Sequence, residues 1–537
     1  MDHILREKAM QAQVCYEDLL ERTGIQPDVK VIFNVNEDEQ RLMKQACFRD
    51  NPFPGVVKAV LLKLRLAAVN KLFRAEKVLQ TGPAAAILAL DAALAKEIGA
   101  MRSGKEAGGE VLCDVGLAGL QVVRLYMMAY GGSKEFAKSR YQSATRVDNA
   151  LNGSFYKYAA KDGRAFSAHV YYESQKARIM KTLGIAKDPD KFVLASLPFD
   201  KKTTARAVAK WNAQELEEQV FADGACGCML RTRDEWEAMP VGKAVCEMPL
   251  YRFNKVKDAP VKTFGTPDVK KGPLSGVKVL DLTHIIAGPV CTRLLAEYGA
   301  DVLMVRRGDY LHQEQAMLEL DGWAGKNSIQ LDFNVPEQLE KAKALVKEAD
   351  VVVCSYQNGA LDKFGLGAEG IHTLNDNVIY ASMVCFSDTV WKERPGWAPC
   401  AEDITGLSVR NGSLENPVNL NGVPLDYIPG MILCSGVLKA LQRQMTEGGS
   451  FTLTGSLTRG GYWLHECTDR WEQGPRGVKT SVVREKLDAP LWNSVLQTVP
   501  GTAVGDVRFP SPATWFEGQG DVLNNMRFHD GRTGFSG

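Results

Sequence analysis

The spacing of hydrophobic positions changes along this chain, and the change is clearest between residues 273 and 386. Val277 to Leu282 is a short run of β-branched and aliphatic residues. Gly288 to Tyr298 carries Val290, Leu294, Leu295 and Tyr298 at helical spacing, and Asp301 to Val305 is a second short run. This pattern predicts a strand, a crossover helix and a parallel strand. It recurs as NSIQLDF (Asn327 to Phe333), a helix from Pro336 to Glu348 with proline in its first turn, VVVCSY (Val351 to Tyr356) and VIYASMVCF (Val378 to Phe386). Strands alternating with helices of this length predict an α/β fold with an open, doubly wound, mostly parallel, Rossmann-like sheet. Ligands of such sheets bind beyond the carboxyl ends of the strands, here near His284 to Thr292.

A second pattern repeats at longer range. An alanine-rich helix from Gly82 to Met101 is followed by Gly108, Gly109 and the strand EVLCDVGL; a helix from Gly430 to Met445 is followed by Gly448, Gly449 and SFTLTGSL. The pairing predicts an internal repeat whose first copy belongs to a separate lobe, outside the main sheet. Residues 1 to about 55 read as a polar helix and a Pro/Gly segment, and Val56 to Leu72 as a helix with a solvated basic face. The resulting division is a partial first module (1–137), a small α+β domain (138–256), an exposed Pro/Gly/Lys linker (257–273), the large domain (274–465) and a C-terminal arm (466–537), in which VRFPSPATWF wraps another lobe.

Charge and composition narrow the function. With 65 basic and 64 acidic residues among 537, the chain has no overall bias toward nucleic acid or an anionic membrane, so an anionic ligand needs a local cluster of cations. No apolar run approaches the length of a membrane span, and MDHILREKAMQAQ has the pattern of neither a signal nor a transit peptide, so a cytoplasmic protein is expected. The twelve cysteines are scattered. Cys226 and Cys228 in GACGC are the one close pair, and no paired CxxC or histidine cluster occurs. That spacing reads as small buried hydrophobes in a reducing compartment and argues against a zinc site, so no metal is expected.

Asp426, in VPLDYIPG before the second repeat helix, reads on spacing alone as a helix cap. Four segments change that reading: DLTHIIAGPVCTRLLAEYGADVLMV, GKNSIQLDF, ADVVVCSYQNGALDKFGLG and VPLDYIPGMILCSGVLKAL. In this order they resemble the successive signatures of the class III CoA-transferase (CaiB/BaiF) family, here in a rearranged or fused tandem form. The resemblance implies CoA transfer between an acyl-CoA thioester and a carboxylic acid, with Asp426 as the nucleophile that carries an aspartyl-CoA thioester. It implies coenzyme A, entering as acyl-CoA, as the cofactor, and a homodimer as the assembly.

By the same resemblance His284, Ile286 and Ala287 line the first βα turn, Arg306 and Arg307 follow the second strand, Lys326 lies in GKNS, and Lys363 and Phe364 contact the adenine end of CoA. Val78 stands where the first copy would need an aspartate, which leaves that half catalytically empty. Ile286 replaces a common glutamine, and GACGC is the nearest counterpart of the family's glycine-rich loop.

Three alternatives stand beside this reading. A racemase or dehydratase-type member would carry a histidine where Trp397 and Ala398 stand. A nicotinamide dehydrogenase would need GxGxxG where THIIAGP supplies one glycine. A non-catalytic CoA-binding subunit would fit the empty first half.

Overall fold

The computed structural model describes residues 2–34, 77–127, 129–131, 156–170, 173–185, 201–306, 321–474, 496–502, 505–526 and 534–535. The segment Val56 to Leu72 and residue Arg307, singled out above, lie outside the described residues.

The chain opens with a helix, Asp2–Thr23, and a strand that the hydrophobic pattern did not announce, β1 (Lys30–Asn34). The alanine-rich segment is the helix Thr81–Arg102, buried along almost its whole length because its small side chains let other helices approach closely. Strand β2 (Glu110–Asp114) pairs in parallel with β1. The run EVLCDVGL is a strand only as far as Asp114, whose carboxylate accepts the Leu117 N–H at 2.8 Å and caps the helix Val115–Gln121.

After β3 (Ala129–Gly131) comes a small antiparallel sheet of β4 (Lys157–Ala159), β5 (Ala165–Ala168) and β6 (Gly227–Met229). The helices Glu173–Thr182, Lys201–Val208 and Ala213–Ala222 lie between β5 and β6 in the chain.

The main sheet comprises β7 (Tyr251–Lys257), β8 (Lys278–Leu282), β9 (Asp301–Arg306), β10 (Asn327–Gln330), β11 (Val351–Cys354), β12 (Ile379–Val384) and β13 (Ser450–Ser456). Its order is β10-β9-β8-β11-β12-β13-β7, with β7 antiparallel at one edge and every other pair parallel. The sheet is open, mostly parallel and doubly wound. Its edge strand β7 comes from residues that precede the linker. From β8 the chain winds outward to β9 and β10, then returns to β11 on the other side of β8, so the topological switch point lies between β8 and β11.

The C-terminal strands run back to the first half of the chain. β14 (Leu496–Thr502) and β15 (Gly505–Pro510) form a sheet with β3, and β16 (Thr514–Trp515) adds antiparallel to β2, so β2 lies outside the main sheet.

The repeat is visible as packing. The helix Pro424–Thr446, β13 and the helix Leu457–Glu472 follow the same order as the helix Thr81–Arg102, β2 and the helix Val115–Gln121. The two long helices share one core and meet through polar links: Ser435 Oγ donates to Asp91 Oδ1 at 2.5 Å and Gln442 Nε2 to Glu97 Oε2 at 2.8 Å. Each has a glycine where another helix crosses it. A Cβ on Gly430 would lie 2.4 Å from the Ala287 carbonyl oxygen, and one on Gly82 would lie 3.2 Å from Gln11. Among the described residues no helix is long and apolar enough to cross a membrane.

Candidate active site

The site begins with the turn between β8 and the helix Ala287–Glu297. Asp281, buried near the end of β8, accepts four hydrogen bonds. Its Oδ1 takes the Thr283 N–H at 2.9 Å and the Thr283 hydroxyl at 2.5 Å; its Oδ2 takes the Thr292 hydroxyl and the Lys326 ammonium, each at 2.7 Å. Lys326 Nζ also donates to Thr292 Oγ1 at 2.6 Å and to the Pro289 carbonyl at 3.1 Å. This network ties strand, turn and helix into one unit. Within the turn Ile285 has φ of 65°, a left-handed conformation that a β-branched side chain adopts at a cost of roughly 1–3 kcal/mol and that persists only where neighbouring contacts enforce it. Gly288 seats the start of the helix against the strand ends: a Cβ there would lie 2.7 Å from the Cβ atoms of both Thr283 and Ser355.

Beyond these strand ends lies a cavity of about 330 Å³. The β8 turn contributes His284, Ile286 and Ala287; the segment after β11 contributes Ser355 and Tyr356; the segment after β12 contributes Trp391, Arg394 and Trp397. Gln175, on the helix Glu173–Thr182 of the small domain, closes another side. The cavity thus sits at the switch point, as the doubly wound topology requires. The His284 backbone N–H donates to Ser355 Oγ at 3.0 Å, and its ring lies 4.6 Å from that of Tyr356. Burial pushes the His284 imidazole down to about 4, so it is neutral at physiological pH. Arg394 is held between the rings of Trp391 at 3.9 Å and Phe221 at 4.4 Å and pairs with Glu218 at 2.5 Å. Trp391 takes a φ of 52°, a second left-handed non-glycine position in the cavity wall.

Asp426 lines the same cavity. It is the third residue of the helix Pro424–Thr446, whose N-cap is Val423 and which has no side-chain cap. Among the described residues its carboxylate accepts no hydrogen bond and meets no cation, and burial pushes it up to about 7. The cap reading offered by the sequence is therefore not what the geometry shows. The next residue anchors the helix: Tyr427 OH donates to Asp321 Oδ2 at 2.9 Å and accepts the Leu125 N–H at 3.0 Å, while Asp321 also pairs with Arg124, all in the buried interior.

Of the residues singled out in the sequence, His284, Ile286 and Ala287 share the cavity with Asp426. Lys326 does not, and its place as a CoA contact is corrected here: its ammonium is fully buried and its three hydrogens go to Asp281, Thr292 and Pro289. Arg306, at the end of β9, stacks at 4.4 Å on Trp323 and is not among the cavity-lining residues. Lys363 and Phe364 form the 3-10 turn Asp362–Phe364, also away from the lining. Lys363 is exposed over the Phe364 ring at 4.8 Å, and Phe364 packs edge-on against Phe333. GACGC does not cover Asp426 either: a Cβ on Gly227 would meet Phe166 at 2.8 Å, so this glycine serves the packing of β6 on β5.

Sequence reasoning missed Gln175, Tyr356, Arg394 and the tryptophans as parts of one wall. The one signal in the sequence was the Pro/Gly punctuation of RPGWAP, which marks a loop after a strand and so a place where binding residues collect.

Comparison with known proteins bears on the same residues. CoA-transferase family III matches residues 274–489. An acyl-CoA transferase of Gibberella moniliformis is 29% identical over 406 residues, which cover 72% of this chain and 68% of that protein. The acetyl-coenzyme A transferase nodX of Hypoxylon pulicicidum is 27% identical over 370 residues, 66% of this chain and 60% of that protein. The succinyl-CoA–L-malate CoA-transferase beta subunit of Chloroflexus aurantiacus is 32% identical over 193 residues, 33% of this chain and 48% of that protein. The chain thus spans about half to two thirds of the length of these relatives. The family match over residues 274–489 takes in β8 to β13 of the doubly wound sheet and most of the wall of the cavity at its switch point, so over that stretch this chain is similar to the class III CoA-transferases.

Proposed function

We propose that this protein moves CoA between an acyl-CoA thioester and a carboxylic acid, with Asp426 as the nucleophile. The observation that carries the proposal is a half-buried carboxylate, without partners among the described residues, facing a cavity at the switch point of the sheet. A carboxylate with a free face is a competent nucleophile once ionised.

One carboxylate oxygen attacks the thioester carbonyl, the C–S bond breaks, and CoA leaves as a thiolate from a mixed anhydride. The thiolate attacks the aspartyl carbonyl, which forms aspartyl-CoA and releases the donor as its carboxylate. An acceptor carboxylate then attacks the aspartyl thioester, and the displaced thiolate takes the acceptor acyl group, which regenerates Asp426. Every bond broken is matched by one formed, and neither a nucleotide triphosphate nor an oxidant enters.

Two residues of the cavity wall support this reading in further roles. Arg394 and Lys392 are the cations among the lining residues, so they take the place given to Lys326 in contacting an anionic part of the ligand. Arg306, Lys363 and Phe364 lie outside the wall around Asp426 and would reach only the distal, nucleotide end of CoA.

The test is intact mass. Incubation with acyl-CoAs should give a CoA adduct on the wild-type protein that hydroxylamine removes and that maps to Asp426; absence of the adduct with every acyl-CoA tried would defeat the proposal.

One observation favours a second reading. Racemisation needs two proton carriers, and tertiary structure places neutral His284 in the cavity with Asp426, although no histidine is near Asp426 in the sequence. Wash-in of solvent deuterium at the carbon next to the thioester, with no adduct, would select it.

A further inference from the structure

A second cluster of reactive side chains lies outside the cavity, where the small sheet meets the large domain. A ring nitrogen of His169, just after β5, and the sulfurs of Cys228 in β6 and Cys400 in the helix Ala398–Ile404 lie within 4.8 Å of one another, and all three residues are buried. Cys226, two residues before Cys228, is also buried, beside Cys400. The His169 backbone N–H is fixed by the Cys226 carbonyl at 2.9 Å.

Around the cluster stands a polar support. Ser167 Oγ lies 3.4 Å from His169 Nε2 and 3.5 Å from Cys228 Sγ, and it donates to Asp403 Oδ2 at 2.7 Å. The same carboxylate pairs with the Lys157 ammonium. His169 Nδ1 has no hydrogen-bond partner and is shut off from solvent.

We propose that His169, Cys228 and Cys400 bind a zinc ion that joins the small sheet to the large domain, with Cys226 completing the tetrahedron. Thiolate and imidazole are the donor set that zinc takes in closed structural sites, with Zn–S near 2.3 Å and Zn–N near 2.0–2.1 Å. The ligand atoms of His169, Cys228 and Cys400, already within 4.8 Å of one another, need only a small inward rotation to reach those lengths, and Cys226, outside that group, moves in as the fourth. On binding, each cysteine gives up its proton to solvent and the histidine binds as neutral imidazole, so the thiolates offset the charge of the metal. Buried cysteines alone are ordinary small hydrophobes. A buried imidazole with an unpartnered nitrogen among them is not, because an unsatisfied polar atom there costs roughly 1–3 kcal/mol. The ligands come from residues 169, 226, 228 and 400, which is why no metal-binding spacing appears along the chain. The ion would also steady the cavity, since Trp397 of its wall is the N-cap of the helix that carries Cys400.

The experiment is elemental analysis of the full chain purified without chelator, followed by replacement with Co²⁺. One zinc per chain is expected, together with a thiolate-to-cobalt charge-transfer band that is lost in Cys400→Ala and in His169→Ala. The wild-type measurement decides the matter even if a variant fails to fold. A wild-type protein that carries no stoichiometric metal and takes up none when refolded with Zn²⁺ or Co²⁺ would overturn the proposal. So would a disulfide between any two of these cysteines, or full zinc content in a folded Cys228→Ala, Cys400→Ala variant. None of these outcomes depends on whether Asp426 is the nucleophile.

Discussion

Two charged groups stand near the start of the helix Ala287–Glu297, Lys326 fully buried and Asp426 half-buried at the cavity, and they are built in opposite ways. Lys326 gives all three of its hydrogens to neighbours, and the carboxylate it faces is saturated in turn. Asp426 faces a cavity and has no hydrogen-bond partner among the described residues. A charge whose bonding capacity is used up holds the fold together and has nothing left for a ligand. A half-buried charge without a partner is costly to keep, and the function of the cavity gives the reason for keeping it. By residue type alone lysine was the better phosphate contact; by geometry it is a structural pin.

The largest effect that follows is on rate. Asp426→Asn keeps the shape of the side chain but cannot form the anhydride, so CoA exchange should fall by orders of magnitude while the melting temperature is held or raised. Turnover and thermal melts on one preparation check this, and an active Asn variant would erase the contrast with Lys326.

Lys326→Met should do the reverse. It leaves Asp281 buried without its cation, which costs about 3–5 kcal/mol, seen as a lower denaturation midpoint, while CoA affinity per folded molecule is unchanged. A folded variant of normal stability that has lost CoA binding would return Lys326 to the ligand.

Arg394→Ala tests the cation that replaces it. Loss of a charge-assisted contact of about 1.5–3 kcal/mol should raise the KM for acyl-CoA roughly tenfold or more, with kcat little changed and the difference shrinking at high salt. Steady-state kinetics at two ionic strengths read it out.

The smallest effect is the pH dependence. Burial raises the Asp426 carboxyl to about 7, so the rate should climb as pH rises through that value and the nucleophile ionises. The folded-state pKa lies above the unfolded one. Its contribution to stability is therefore fully present below the unfolded value and is lost as pH rises through about 7. Asp426→Asn has no such group, so the stability of wild type relative to the variant should decline between pH 5 and pH 8. Urea titrations at the two pH values check the sign.

Much of the main sheet was legible because its elements are set by local periodicity. The helix predicted from Pro336 to Glu348 has those bounds, and the predicted strands at Val277, Asp301, Val351 and Val378 appear with their ends moved by a few residues. The departures have local causes. EVLCDVGL stops being a strand at Asp114 because that carboxylate caps a helix more readily than it extends a ladder. β1 was missed because five residues, KVIFN, carry too little periodicity to stand out. β7 reads as part of the preceding segment because its place at the edge of the main sheet depends on pairing with β13, almost two hundred residues away.

The sequence by itself determined the alternation of strand and helix, the order of the family motifs and Asp426 as the residue to watch, since each depends on neighbours within a few turns of chain. The tertiary structure alone decided that Lys326 is spent on Asp281, that Arg394, Gln175 and His284 share a wall with Asp426, and that His169, Cys228 and Cys400 converge. The physical reason is that a side chain's chemistry is set by burial and by which partners fill its hydrogen-bonding sites. Those partners come from segments brought together when the core closes, and their separation along the chain carries no record of the meeting.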